Sequence, residues 1–210
     1  LSVQSQDIVV LGAGGHAKVV IDLLRETNWR VVALTDADDT ARTVMGVPVV
    51  GTDEKLEELW RNGIRAAFVA LGSNALRERI GDRLLARGFA LPAAVSTRAA
   101  VSPSAQIGQG VAVMAGAAIN AEAVIGDFAI VNTQAGVDHD CVIGRGAHIG
   151  PGSALAGCVR IGARSFLGVG CNVIPEKTIG SDVMVGAGSL VIRDLPDGCL
   201  AFGAPAVARR

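Results

Sequence analysis

Tyrosine is absent from this chain of 210 residues, aromatics make up 3% of it, and only three histidines occur, His16, His139 and His148. Dedicated nucleic-acid binders carry a basic patch and aromatic stacking platforms. Here 19 basic residues stand against 20 acidic ones, with no run of like charge, so nucleic acid is not expected as a partner. No apolar stretch reaches the roughly 18 residues of a membrane span, and no membrane association is expected. Leu1 to Asp7 lacks the basic stretch that opens a secretory leader. The four cysteines (Cys141, Cys158, Cys171 and Cys199) form no CxxC pair. They read as free thiols in a reducing cytoplasm.

What the chain has in their place is aliphatic carbon and glycine. Half of it is apolar, which rules out disorder. Glycine fills 27 positions, about twice the usual share of roughly 7%, so the core must be built from small aliphatic residues between many tight turns.

From Val95 onward the pattern has a period of six. An Ile, Leu or Val stands at every sixth position from 95 to 191, seventeen in succession, although these residues fill only 58 of 210 positions. Four residues after each anchor comes a small or aliphatic residue, with Lys177 the one clear violation. This is the hexapeptide repeat of a parallel β-helix. Three hexads close a triangular coil, so residues i and i+18 stack vertically and each coil pairs its backbone with the next.

Residues 1–91 follow α/β rules. Ile8-Val9-Val10-Leu11 reads as a buried strand, the glycines after it open a helix from Gly15 to Arg25, and Val31–Leu34 reads as a second strand ending at Asp36. Ala66–Leu71 reads as a third strand and Asn74–Arg87 as an amphipathic helix. Alternating strands and helices predict a small parallel, Rossmann-like sheet, joined near Leu91-Pro92 to a β-helix over 92–210.

Gly12-Ala13-Gly14-Gly15-His16-Ala17 fits G-x-G-x-x-A directly after a strand, with Asp36 about twenty residues on. The glycines allow a tight turn, the helix start receives phosphates, and the acid meets a ribose. A domain of about ninety residues cannot hold both halves of a dinucleotide site, so a diphosphate on a smaller nucleotide fits better. The other reading is a tight turn without a ligand. His16 in the first helical turn is either a contact to that ligand or a capping residue. Ser73 and Asn74 fall at the same carboxyl edge of the sheet, where ligands of open α/β sheets gather.

In the repeat, Asp138-His139-Asp140 occupies a turn, so the imidazole projects outward between two carboxylates, an arrangement suited to a general base. Gly157 lies eighteen residues on, above His139, and its N–H suits an oxyanion. The alternative is a solvated turn with an ordinary turn glycine. His148 lies half a coil from His139, out of its reach within one chain. A histidine-ligated metal centre needs three ligands, and only two histidines lie in the repeat, so no metal is expected.

Gly12–Lys18 (GAGGHAK), Asp36, the hexads, Asp138-His139-Asp140 and Gly203-Ala204-Pro205-Ala206 together resemble the sugar acyltransferases of the sialic-acid O-acetyltransferase type. Within them the chain is similar to N-acetyltransferases of nucleotide-linked 4-amino-4,6-dideoxysugars, over nearly its whole length. The resemblance implies a left-handed β-helix, contrary to the right-handed crossover rule, a cytoplasmic homotrimer, and acetyl-CoA as co-substrate. It implies a GDP-linked sugar, perosamine, as acceptor for O-antigen lipopolysaccharide, with a UDP-linked 4-amino sugar or a sugar hydroxyl as alternatives. His139 would be the base, Asp140 its orienting carboxylate and Gly157 the oxyanion donor. Gly12, Gly14, Gly15, His16 and Asp36 would hold the nucleotide. Acetyl-CoA would pass His148, Gly157, Gly170, Ile174, Gly186 and Ala204-Pro205, and trimerisation would bring His148 to a neighbour's His139. Relatives acting on UDP sugars carry Glu where this chain has Asp140, so the carboxylate here is shorter in reach. A non-catalytic nucleotide-sugar sensor is the remaining rival.

Overall fold

The structure, a computed structural model, describes residues 6–209. Of the stretch read for a leader, Leu1–Ser5 lie outside the described residues. The chain forms two compact units, Leu1–Ala94 and Val95–Arg210.

The first unit is built on strand β1 (Gln6–Leu11), which lies between β2 (Trp29–Thr35) and a later strand (Ala66–Val69) in a parallel sheet. Ile8 through Leu11 are buried without interruption, the continuous apolar run expected of a central strand covered on both faces. Helix α1 (Gly15–Arg25) buries Ala17, Val20, Ile21 and Leu24, a stripe at the three-and-four spacing of an amphipathic helix. Residues 37–65 carried no strong pattern. There the chain forms the hairpin of β3 (Thr43–Val44) and β4 (Val47–Pro48), a 3-10 turn (Asp53–Lys55), and α2 (Leu56–Arg61). The strand Ala66–Val69 is therefore β5, and α3 (Asn74–Ala86) follows it.

The second unit is a parallel β-helix of two-residue strands placed every six residues. Strands pair at an offset of eighteen, as in Ala118 with Gly136 and Gly136 with Ala154. Three sheets result, one per face of the prism, parallel throughout except where Val207–Arg209 pairs antiparallel with Leu200–Phe202. The second inward column, four residues after each anchor, is buried at Ala117, Ala123, Ala129, Ala135, Cys141 and Ala147. Serines in that column keep their hydroxyls bonded, Ser153 to the Gly168 carbonyl at 3.0 Å and Ser165 to that of Gly180 at 2.6 Å, which removes the cost of a buried polar group. The last coil is two residues shorter, with Met184 paired to Leu200.

From Gly110 to Gly188 the third residue after each anchor turns the corner with positive φ, as at Asp140 (58°), Cys158 (62°) and Gly170 (68°). Corner residues therefore stack in vertical columns, and this is what later places Cys158 against His139.

Ile149 is fully buried in the ladder. Ile149→Ala is expected to cost about 2–5 kcal/mol, the usual range for truncating a packed aliphatic side chain, read as a shift in the urea midpoint.

Candidate active site

In the first unit, the loop after β1 carries the glycines. Gly12 has φ +104°, and a Cβ there would lie 2.8 Å from the Ala70 carbonyl oxygen, so only glycine lets the loop pass the end of β5. Gly14 and Gly15 have no atom within 4 Å of where a Cβ would stand, so packing does not require them to be glycine and the space beside them is open. Asp36 accepts the Ala13 N–H at 2.6 Å and the Asp38 N–H at 3.0 Å, and lies 3.5 Å from the Arg42 guanidinium. Its carboxylate thus fastens the glycine loop to the end of β2, a task the motif reading had not assigned to it. A cleft of about 570 Å³ opens here, lined by Leu11, Gly12, Thr35, Asp36, Asp53 and Leu71 among others.

His16 is half-buried, and no group among the described residues bonds its Nε2. Burial first, and the Arg77 charge second, push its pKa down to about 4, so the ring is neutral. Ser73 caps α3 without a side-chain hydrogen bond. The Asn74 Oδ1 accepts from Arg77 Nη2 at 2.9 Å, and Arg77 Nη1 donates to the Leu71 carbonyl at 2.9 Å.

Arg77 was not among the residues read from the sequence. It is 1% exposed, and burial pushes its pKa down to about 10, still charged at neutral pH. Its guanidinium fixes the turn between β5 and α3, on which Ser73 and Asn74 stand. The signal was available, since Arg77 occupies the inward stripe of α3 with Ile80 and Leu84.

In the second unit, His139 Nδ1 lies 2.7 Å from Asp140 Oδ2. Asp138 Oδ1 accepts the His139 N–H at 2.8 Å and Asn120 Nδ2 at 2.8 Å, and both bonds hold its carboxyl below the usual range. The hydrogen bond to Asp140 raises the His139 pKa, exposed as the ring is, with the charges of Asp138 and Asp140 acting the same way. A carboxylate on Nδ1 requires the proton there when the ring is neutral, so the lone pair sits on Nε2.

That nitrogen faces Gly157. A Cβ at 157 would lie 2.6 Å from both Cε1 and Nε2 of His139. The two coils are joined beside the ring by the Cys158 N–H to the His139 carbonyl at 3.0 Å. Gly157 accepts the Glu176 N–H through its carbonyl, and no group among the described residues takes its own N–H. Asn120, also missed, lies eighteen residues before Asp138 in the same column and was findable by that arithmetic.

His148 lies on another face of the prism. Its Nε2 is 2.9 Å from Asn132 Nδ2 and its ring meets Phe166 edge-on at 5.1 Å. Gly170, Ile174 and Gly186 all spend their N–H groups on the coil, on Pro151, Val191 and Ala201. A Cβ at Gly186 would lie 2.9 Å from that of Phe202, so coil packing already accounts for this glycine. Ala204 and Pro205 are joined by a cis peptide bond in the exposed tail.

Residues 7–84 match the PglD N-terminal domain, and residues 122–157 match the bacterial transferase hexapeptide of six repeats. A crystal structure of a histidine variant of perosamine N-acetyltransferase from Caulobacter crescentus, in complex with CoA and GDP-perosamine, superposes with a TM-score of 0.95 at 54% identity, covering 97% of each chain. The chain belongs to the hexapeptide-repeat sugar N-acetyltransferases.

The acetyltransferase domain of PglB from Neisseria gonorrhoeae, solved in complex with acetyl coenzyme A, has a TM-score of 0.91 at 41% identity. It covers 98% of this chain and 100% of its own. The uncharacterized protein L142 of Acanthamoeba polyphaga mimivirus is 30% identical over 124 residues, 59% of this chain, and the match spans 24% of that relative's length. Among the described residues no helix is long and apolar enough to cross a membrane.

Asp140→Asn removes the carboxylate that raises the His139 pKa. The expected outcome is a lower His139 pKa, followed by the ring C–H resonances in an NMR titration.

Proposed function

We propose that this chain transfers acetyl from acetyl-CoA to the C4 amine of GDP-perosamine. The observation that carries the reading is a solvent-facing imidazole with Nδ1 held by a carboxylate and Nε2 left bare. It stands in a chain 54% identical, end to end, to a perosamine N-acetyltransferase solved with CoA and GDP-perosamine.

The neutral amine attacks the thioester carbonyl while His139 Nε2 takes the proton that the nitrogen sheds. Asp140 keeps the ring in the tautomer that can accept it and stabilises the imidazolium that forms. Charge developing on the carbonyl oxygen is met by the Gly157 N–H, which no acceptor among the described residues claims. Collapse forms the amide and expels coenzyme A, which leaves as the thiol after receiving a proton. No acyl-enzyme is needed, so no cysteine takes part.

The nucleotide diphosphate lies over Gly14 and Gly15 at the start of α1, with His16, Ser73 and Asn74 at its edge and Asp36 holding the loop beneath. The acetyl-CoA arm runs past His148, Gly170, Ile174, Gly186 and the Ala204-Pro205 tail. The active assembly is a cytoplasmic homotrimer in which His148 approaches a neighbour's His139, and the product enters O-antigen lipopolysaccharide. A UDP-linked 4-amino sugar or a sugar hydroxyl would use the same groups.

His139→Ala is expected to lower kcat by about 10²–10⁴-fold, the usual contribution of a positioned base, with both KM values nearly unchanged. Near-normal turnover would remove His139 from the chemistry. Because the base must be unprotonated, kcat/KM should rise with pH through the elevated His139 pKa and fall away below it. Parallel assays with GDP-perosamine and a UDP-linked 4-amino sugar decide the acceptor. Turnover of the UDP sugar alone would keep the mechanism and overturn the substrate.

A further inference from the structure

Cys158 has no part in the transfer, yet the fold sets it beside the base. Residues 140 and 158 occupy one corner column, both with positive φ, and the Cys158 N–H is bonded to the His139 carbonyl at 3.0 Å. His139, Asp140 and Cys158 each offer one donor atom, and the three donors lie within 4.8 Å of one another. All three side chains are exposed, whereas Cys141, Cys171 and Cys199 are buried.

A nitrogen, an oxygen and a sulfur donor form the set that zinc and cobalt(II) prefer. Magnesium and calcium want several oxygens, and one carboxylate does not supply them. Three protein ligands leave a fourth position for water in tetrahedral geometry. The backbone at all three residues is tied coil to coil, through the Asp140 N–H to the Ala121 carbonyl and the Cys158 N–H to the His139 carbonyl, each at 3.0 Å, so little backbone order remains to be imposed when a cation enters.

We propose that His139, Asp140 and Cys158 form a binding site for a borderline-soft divalent cation, zinc foremost, and that its occupation silences the enzyme. The cation is an inhibitor and not a cofactor, because it claims the imidazole that takes the amine proton. That consequence rests on the base role given to His139, whereas the site itself does not.

The test uses the full chain with cobalt(II) as a spectroscopic substitute. Addition of cobalt(II) should produce a near-ultraviolet thiolate-to-cobalt charge-transfer band that zinc displaces. Cys158→Ser should abolish the band, since the other three thiols are buried. In parallel, zinc should inhibit formation of acetylated sugar by wild type, and EDTA should restore it. The Cys158→Ser variant should turn over normally without metal and need at least about tenfold more zinc for the same inhibition, since even outer-shell changes cost about 10–100-fold in metal affinity. Absence of the band, or a band that survives in Cys158→Ser, overturns the site. A band that behaves as expected while zinc leaves turnover untouched keeps the site and contradicts His139 as the base.

Discussion

The offset of eighteen between paired strands is the constraint from which the second unit follows. Each strand holds two residues, far too few to persist alone, so the backbone is satisfied only when coil lies on coil in register. The ladder hydrogen bonds and the two buried columns reinforce each other, because a slip of one residue would turn anchors outward. The same register decides what stands above each corner. It puts Asn120 below Asp138, Gly157 above His139 and Cys158 above Asp140. The site is thus a by-product of the stacking rule, with side chains chosen to fill places that the coil had already fixed.

The environments of two histidines drive them in opposite directions. His139 stands in solvent with a carboxylate on Nδ1, which favours the charged ring and raises its pKa. His16 is withdrawn from water beside a buried guanidinium, and its pKa falls to about 4. The first is suited to take up a proton, the second to remain neutral beside the glycine loop. Arg77 lies behind that second environment. It holds the turn carrying Ser73 and Asn74 while keeping a positive charge at the carboxyl edge of the sheet, where the carbonyls of Leu71 and Gly72 receive it.

Periodicity made the β-helix legible, since a phase held over seventeen hexads leaves only one way to stack. The vertical relation of His139 to Gly157 followed from the same arithmetic, and α1 was readable from its apolar spacing and the glycines before it. What the sequence could not convey was how polar groups are spent. Asp36 fits a ribose-binding pattern, yet its oxygens go to the Ala13 and Asp38 amides, a pairing that depends on loop geometry. Gly186 stands where a Cβ would lie 2.9 Å from that of Phe202, a close approach the repeat does not announce, whereas Gly170 has nothing within 4 Å and shares its corner conformation with Asp140 and Cys158. Residues 37–65 were silent because their elements are too short to develop a period.

The proposed transfer depends most on the seating of the His139 ring against residue 157. Gly157→Ala keeps the backbone N–H and adds a single methyl group, 2.6 Å from two atoms of the imidazole, so the ring must give way. The measurement is kcat of this variant with both substrates saturating, alongside its unfolding midpoint. The expected result is a loss of about 10²-fold, the scale on which a 1 Å misplacement acts, in a protein that still folds and binds. Wild-type turnover from a folded Gly157→Ala protein would contradict the account.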